Sequence, residues 1–469
     1  MSDKELLLFQ IGPVQEFIAQ AATVEDLWAG SYLLSRLMWA GIEKAAEMGA
    51  EFIFPNLVDD TVKNALEGSE KIPTIPNRFL AEMKSGYGKS IANNVCAALK
   101  TQLKDFAKRA NLPDGWEMQL DQFLQMAWAV LPASERCTSQ KYAMKEDFNK
   151  LSGVLAARRN LRDFKPWRES VPTGPKDFLS GKETAIAKKR SAVNLIKLAL
   201  PEVENKTIAI NYPDGDKYIA VVAMDGDKMG QRLTEFESIE DHRRFSGALA
   251  EFAVKAIEIV KANGGSPIYV GGDDVLAVFP AKLAVNGARE LYKTFVAMVG
   301  GTASAGLAVG HEKSPMQELV KAAQDAEHRA KHEYERNALA VDVLKRSGEN
   351  VVWGGKWNSA GIDILIDFRR IMEGEMFKRF PYKLAALLDP YELEKLSAEK
   401  AREMAGVISA EYSHAWTQCT GHEVEKVALD LVNTYFQEVV AGTAKAKDFL
   451  SVFRAETFIN RPRDTREDD

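Results

Sequence analysis

Tyr218–Met224 reads YIAVVAM, runs straight into Asp225-Gly226-Asp227-Lys228-Met229-Gly230, and is answered further on by Ser266–Phe279, SPIYVGGDDVLAVF. An apolar run without alternation marks a strand buried on both faces, because a half-exposed strand would give every second position to water. Ser266–Val270 and Val275–Phe279 are two short strands joined only by Gly271-Gly272-Asp273-Asp274. Adjacent glycines supply the positive φ values of a tight hairpin. Around them, apolar spacing predicts helices over Ile239–Ala262 and Leu283–Val299, a strand over Thr302–Val309, and a helix over Pro315–Arg336 with Pro315 in its first turn. The order β-α-β-β-α-β, then α, is the ferredoxin-like split βαβ arrangement.

That topology makes the first strand and the hairpin neighbours. Asp225, Asp227, Asp273 and Asp274 then converge at one sheet edge, with period two placing Asp225 and Asp227 on one face if the strand continues that far. Clustered carboxylates repel and raise one another's pKa. Magnesium or manganese resolves this, since hard cations take oxygen ligands and leave room for substrate phosphates. Two such ions can activate an attacking hydroxyl and stabilise a leaving pyrophosphate. A glycine pair followed by two acids is, alone, an ordinary turn; the upstream Asp-Gly-Asp in the right topological order turns it into a candidate for phosphoryl chemistry.

Upstream, Leu6–Ile11 reads as a strand broken by Gly12-Pro13, Val14–Met48 as a helix, and Phe52–Phe54 as a strand. Ile72–Leu80, with its prolines, reads as irregular or edge strand, followed by helices Ile91–Ala110 and Glu117–Val130. From Lys141 to Lys197, 14 Lys/Arg stand against 6 Asp/Glu, which predicts a solvated connection with a helix over Lys182–Leu200. The alternative for that stretch is a phosphate-tracking surface built from Arg158, Arg159, Arg162, Lys165 and Arg168. Beyond Leu344 the chain reads mostly helical, over Asp363–Glu373, Tyr382–Leu388, Glu392–Glu411 and His422–Val440. The expected fold class is α+β: two ferredoxin-like palm domains, a helical linker region and a C-terminal helical domain. Its divisions are a first, non-catalytic palm-like domain 1–140, a basic connecting segment 141–205, a catalytic domain 206–345 and a helical domain 346–469.

A net charge of −6 over 469 residues gives no global sign of a nucleic-acid binder, so such binding needs local patches. Cys96, Cys137 and Cys419 form no CxxC pair, which argues against a zinc ribbon and a disulfide framework. With no signal-peptide core and no long apolar run, a cytoplasmic protein is expected. The six histidines read as packing or surface residues; His328 and His332 are four apart on one helix but lack the HExxH glutamate.

The GGDD hairpin and the MDGDKMG strand end resemble the palm domain of the large subunit of type III CRISPR effector complexes, the cyclic-oligoadenylate synthetase related to GGDEF cyclases. FQIGPVQEFIAQAATVEDLWAGSYLLS, IPNRFLA, SAGLAVGH and RNALAVDVLKRSG are similar to the Cmr-type version. The resemblance implies Asp225 and Asp273 as principal metal ligands, with Asp227 and Asp274 assisting. It implies close backbone approach at Gly226, Gly271 and Gly272, with Ser304 and Lys331 near the nucleotide. It implies ATP as substrate, Mg2+ or Mn2+ as a two-ion cofactor, 3′–5′ linkages, and two nucleotides held between paired palms. The implied partners are other protein subunits, and guide and target RNA through the complex, with no membrane. The sequence contains no His-Asp dipeptide, so a chain without the HD nuclease domain of many members is expected, and the zinc-binding cysteines of many members are missing. Two other readings stand beside this one: a stand-alone GGDEF-like synthase of cyclic dinucleotides, and a catalytically silent structural subunit.

Overall fold

The computed structural model describes residues 3–56, 61–133, 143–161, 174–212, 217–371, 379–395 and 398–460. Among these residues ten strands form two sheets. The first holds β1 (Lys4–Gly12), β2 (Glu51–Phe54), β3 (Arg78–Lys84) and β4 (Gln125–Pro132), in the order β2-β3-β1-β4, antiparallel throughout. The second holds β5 (Tyr218–Gly226), β6 (Ser266–Gly271), β7 (Asp274–Pro280), β8 (Ala303–His311), β9 (Ala338–Leu344) and β10 (Asn350–Lys356). Its order is β10-β9-β8-β5-β7-β6, with only the β8–β9 pair parallel. The chain is thus α+β, with palm-type sheets, the second of them mixed, and a helical region.

β5 lies inside its sheet, between β7 and β8, as its unbroken apolar run requires. Ala220, Val222 and Met224 join one core with the helices Ile239–Ala262 and Ala281–Met298 and the C-terminal helices. Ile219 and Val221 join a second core with the helices Met316–His332 and Val24–Glu47. The long helix of the first half therefore packs against the sheet of the second.

Several expectations are corrected. The helix read over Val14–Met48 is two, Gln15–Ala19 and Val24–Glu47, and Thr23 caps the second by accepting from the Asp26 amide at 3.2 Å. β3 is interior and not irregular, because Pro73 and Pro76 both precede its first residue. The helix over Glu117–Val130 stops at Phe123, and Gln125–Pro132 instead pairs along β1. The helix expected over Lys182–Leu200 starts only at Ala192. Helix Ala143–Asn160 packs on β4 and helix Ala192–Val203 on Val24–Glu47, so the described connecting segment is folded onto the first sheet's unit. Arg158 stacks 4.6 Å over the Trp128 ring, while Arg162, Lys165 and Arg168 lie outside the described residues. The second sheet continues past residue 345, since β10 extends it to Lys356. Among the described residues after it are the helices Ala360–Ile371, Phe380–Leu388, Ala405–Thr420, Lys426–Val440 and Ala446–Asn460. Among the described residues no helix is long and apolar enough to cross a membrane.

Candidate active site

β5 delivers Asp225 to the sheet edge opposite Ser304 of β8. On its other side the β6–β7 hairpin closes with Gly271 paired to Asp274, leaving Gly272 and Asp273 as the turn, and Gly272 takes φ +71°. The Gly226 amide donates to the Asp273 carbonyl at 3.2 Å, tying the strand end to the hairpin. A Cβ on Gly226 would stand 2.9 Å from the Phe295 ring and 3.0 Å from the Asp273 Cβ, so glycine is what lets the two segments meet.

Asp225, Asp273 and Asp274 bring carboxylate oxygens within 4.8 Å of one another. Burial, and then the Asp225 charge, push Asp273 up to about 6. Burial of its carboxyl against the hairpin, then a hydrogen bond with Asp225 and the charges of Asp273 and Asp225, raise Asp274 well above its ordinary range, although the residue as a whole reaches solvent at the rim. Lys331, from helix Met316–His332, donates to Asp225 and pairs with Glu327. Burial works against its charge, and those two carboxylates nevertheless hold it above its ordinary range. One cation facing three crowded carboxylates leaves a site short of positive charge. Hard divalent ions fit such an all-oxygen donor set.

Asp227 does not join the three. Its chain position is beyond β5, where Lys228 turns left-handed at φ +57°, and its carboxylate points at Thr302, Ser304 and the Asn337 amide. Ser304 is fully buried and donates to Asp227, below the carboxylate edge. Gly226, Gly271, Gly272 and Lys331 stand at the edge itself.

Two residues escaped the sequence reading. Glu327 sits one turn before Lys331, a spacing that could have been noticed. Arg78 lies on the first sheet, exposed at the start of β3, and its charge lowers Asp273 from across the junction. The backbone around it is anchored, because the Val270 amide of β6 donates to the Pro73 carbonyl at 2.9 Å. Nothing in the local sequence marks that approach. The histidines are packing groups or lie on the surface: burial holds His242 down to about 4 against Phe148 and Phe236, and His328 and His332 pair ring to ring on an exposed helix face.

Sheet order and carboxylate edge together define a palm-type domain of the kind that handles nucleotides. Residues 218–340 match the family model described as Cas10/Cmr2, second palm domain, and residues 6–108 match CRISPR-associated protein Cmr2, N-terminal. The chain belongs to the Cas10/Cmr2 family of type III CRISPR large subunits. It is 26% identical to the CRISPR system Cmr subunit Cmr2 of Pyrococcus furiosus over an alignment covering 49% of this chain and 30% of that protein. The matched part thus spans less than a third of that curated relative's length. Its fold is similar to a type III-B Cmr-beta chain in the apo state, at TM-score 0.61 and 10% identity, covering 94% of this chain and 82% of that one. It is also similar to chains of the Csm1–Csm4 cassette solved with pppApApA and with AMPPNP. Those matches have TM-scores of 0.57 and 0.55, each at 14% identity and covering 98% of this chain and 70% of the other.

Proposed function

We propose that this chain converts ATP into cyclic oligoadenylate second messengers by metal-dependent 3′–5′ nucleotidyl transfer, as a subunit of a type III CRISPR effector complex. The observation that carries the reading is the meeting of Asp225, Asp273 and Asp274 within 4.8 Å of one another at the end of a palm sheet. The Csm1–Csm4 cassettes of similar fold were solved with AMPPNP and an adenylate trimer, which supports adenine nucleotides as the ligand class.

In this reading Asp225, Asp273 and Asp274 hold Mg2+ or Mn2+, which when bound offsets the mutual repulsion of the carboxylates and stabilises the attacking and leaving oxygens of phosphoryl transfer. Lys331 supplies a fixed cation at the edge for triphosphate charge, oriented by Glu327. Gly272 leaves the hairpin turn open to a nucleotide, Gly271 makes room for the Tyr269 ring packed against it, and Arg78 extends the positive field from the first sheet. Positioning and charge stabilisation are the main contributions a protein makes to phosphoryl transfer. The two sheets act as paired ferredoxin-like palms, the first non-catalytic. The shared order of β4-β1-β3-β2 and β8-β5-β7-β6 supports this, with β9 and β10 as an extension. Partner subunits, guide RNA and target RNA complete the working assembly, in the cytoplasm.

The test is incubation with labelled ATP and Mn2+, with and without the guide–target RNA complex, with products read by mass spectrometry. Cyclic adenylates are expected, falling about a hundredfold or more in Asp273→Ala/Asp274→Ala. ATP binding without any product would return the chain to a structural role. A guanine-containing cyclic dinucleotide made without RNA would favour the stand-alone synthase.

A further inference from the structure

Asp225 and Asp227 lie two residues apart at the end of one strand, yet they face different partners. Asp227 is almost wholly buried, and its carboxylate accepts from Thr302 Oγ1 at 2.7 Å, Ser304 Oγ at 2.7 Å and the Asn337 amide at 2.9 Å. A carboxylate offers about four acceptor sites, so three of them are committed inside the protein.

The third partner sits in an unusual turn. Glu335, Arg336 and Asn337 are consecutive non-glycine residues with φ of +54°, +61° and +50°. Left-handed backbone is unfavourable for such residues and persists only where the surroundings over-determine it. Here Lys356 Nζ donates to the Glu335 carbonyl at 3.1 Å and to the Arg336 carbonyl at 2.9 Å. The Trp357 amide donates to the Asn337 carbonyl at 3.3 Å, and Tyr292 donates to the Asn337 side chain at 2.7 Å. The Arg336 amide returns to the Ala330 carbonyl at 3.0 Å, so the turn terminates the helix that carries Lys331. Of the groups holding this turn, Asp227 is the one anchored beside Asp225.

We propose that Asp227 is a positioning residue and not a metal ligand. Its carboxylate clasps the turn Glu335–Asn337 and the start of β8 to the end of β5, and this sets where Lys331 meets Asp225. The inference rests on the reading of Asp225, Asp273 and Asp274 as the metal site.

Two variants separate clasp from ligand. In Asp227→Asn the amide oxygen can accept from Thr302 and the Asn337 amide, while its NH2 donates to Ser304, whose hydroxyl can also accept. Asp227→Ala removes all three contacts. Mn2+ binding to the full chain is followed by electron paramagnetic resonance, thermal unfolding is measured without metal, and kcat and KM for ATP are taken under the activating condition. Both Asp227 variants are expected to bind Mn2+ within about threefold of the wild type, whereas Asp225→Asn weakens it about a hundredfold. Asp227→Ala is expected to melt lower and to lose kcat about a hundredfold with KM little changed, and Asp227→Asn to recover most of both. Loss of Mn2+ binding in Asp227→Asn equal to that in Asp225→Asn would make Asp227 a ligand and overturn the proposal. Unaltered melting in Asp227→Ala would overturn the clasp. Unaltered Mn2+ binding in Asp225→Asn would instead remove the metal-site reading, while the melting comparison still judged the clasp.

Discussion

Lys197 is fully buried in helix Ala192–Val203, its ammonium on the carbonyl oxygens of Phe17 and Gln20 and 4.7 Å over the Phe17 ring. Burial lowers it to about 7 from an ordinary 10.5. Between those values the unfolded chain binds more protons than the folded one, so stability rises with pH. Relative to Lys197→Met, the wild type is expected to gain about 2 kcal/mol from pH 7 to pH 9, read from urea unfolding at both. A constant difference would mean the ammonium stays charged when folded. Neither the burial nor the partners of Lys197 could be read from a segment rich in basic residues. Asp225, Asp273 and Asp274 could be, because a buried strand and a glycine hairpin fix their direction locally. Asp227 could not, since its direction depends on where the chain turns after β5. Arg78 reaches the site only because two sheets meet, and spacing along the chain carries no record of that.

β10 is an element the helical reading of the C-terminal part passed over, although Val351 and Trp353 point inward and Val352 is exposed, a period of two. Its brevity and its two glycines, Gly354 and Gly355, hid it. β4 was lost for a different reason: MAWAVL suits a helix as well as a strand, and the open edge of β1 decides. β10 ties the sheet to the C-terminal helices through Trp353 Nε1, which donates to Tyr435 of helix Lys426–Val440 at 2.9 Å, both residues being fully buried. Trp353→Phe strands the Tyr435 hydroxyl and is expected to cost about 1–3 kcal/mol for that group, beyond the lost volume. Tyr435→Phe strands the indole in turn. The double variant is expected to lose less than the two single losses added, by at least about 0.5 kcal/mol, since no polar group is then left alone. Strict additivity in chemical denaturation would show that the bond does not couple strand and helix.

Helix Val24–Glu47 is buried without a break from Asp26 to Ser35, which no helix with a single packing partner can be. It meets helix Gly88–Arg109 and helix Ala192–Val203 on the first sheet's side and β6 on the second's. Ser31 is enclosed here and donates to the Leu27 carbonyl at 3.4 Å. Trp28 anchors the junction, fully buried, stacked on Tyr32 at 4.8 Å between ring centres and bonded through Nε1 to the Lys71 carbonyl at 2.8 Å. Ile219, Val221, Ile268 and Val278 of the second sheet belong to the same core, so removing this helix would leave apolar strands facing water. Multidomain chains commonly unfold in steps. The shared helix argues that these two sheets unfold together, and calorimetry is expected to give one transition whose calorimetric and van't Hoff enthalpies agree. Trp28→Ala is expected to cost about 3–5 kcal/mol and to move that whole transition downward. Were Trp28→Ala to lower one of two separate transitions and leave the other in place, the sheets would be independent units. The first would then influence the carboxylate edge through surface contacts such as the reach of Arg78 and the Pro73 contact, and not through a common core.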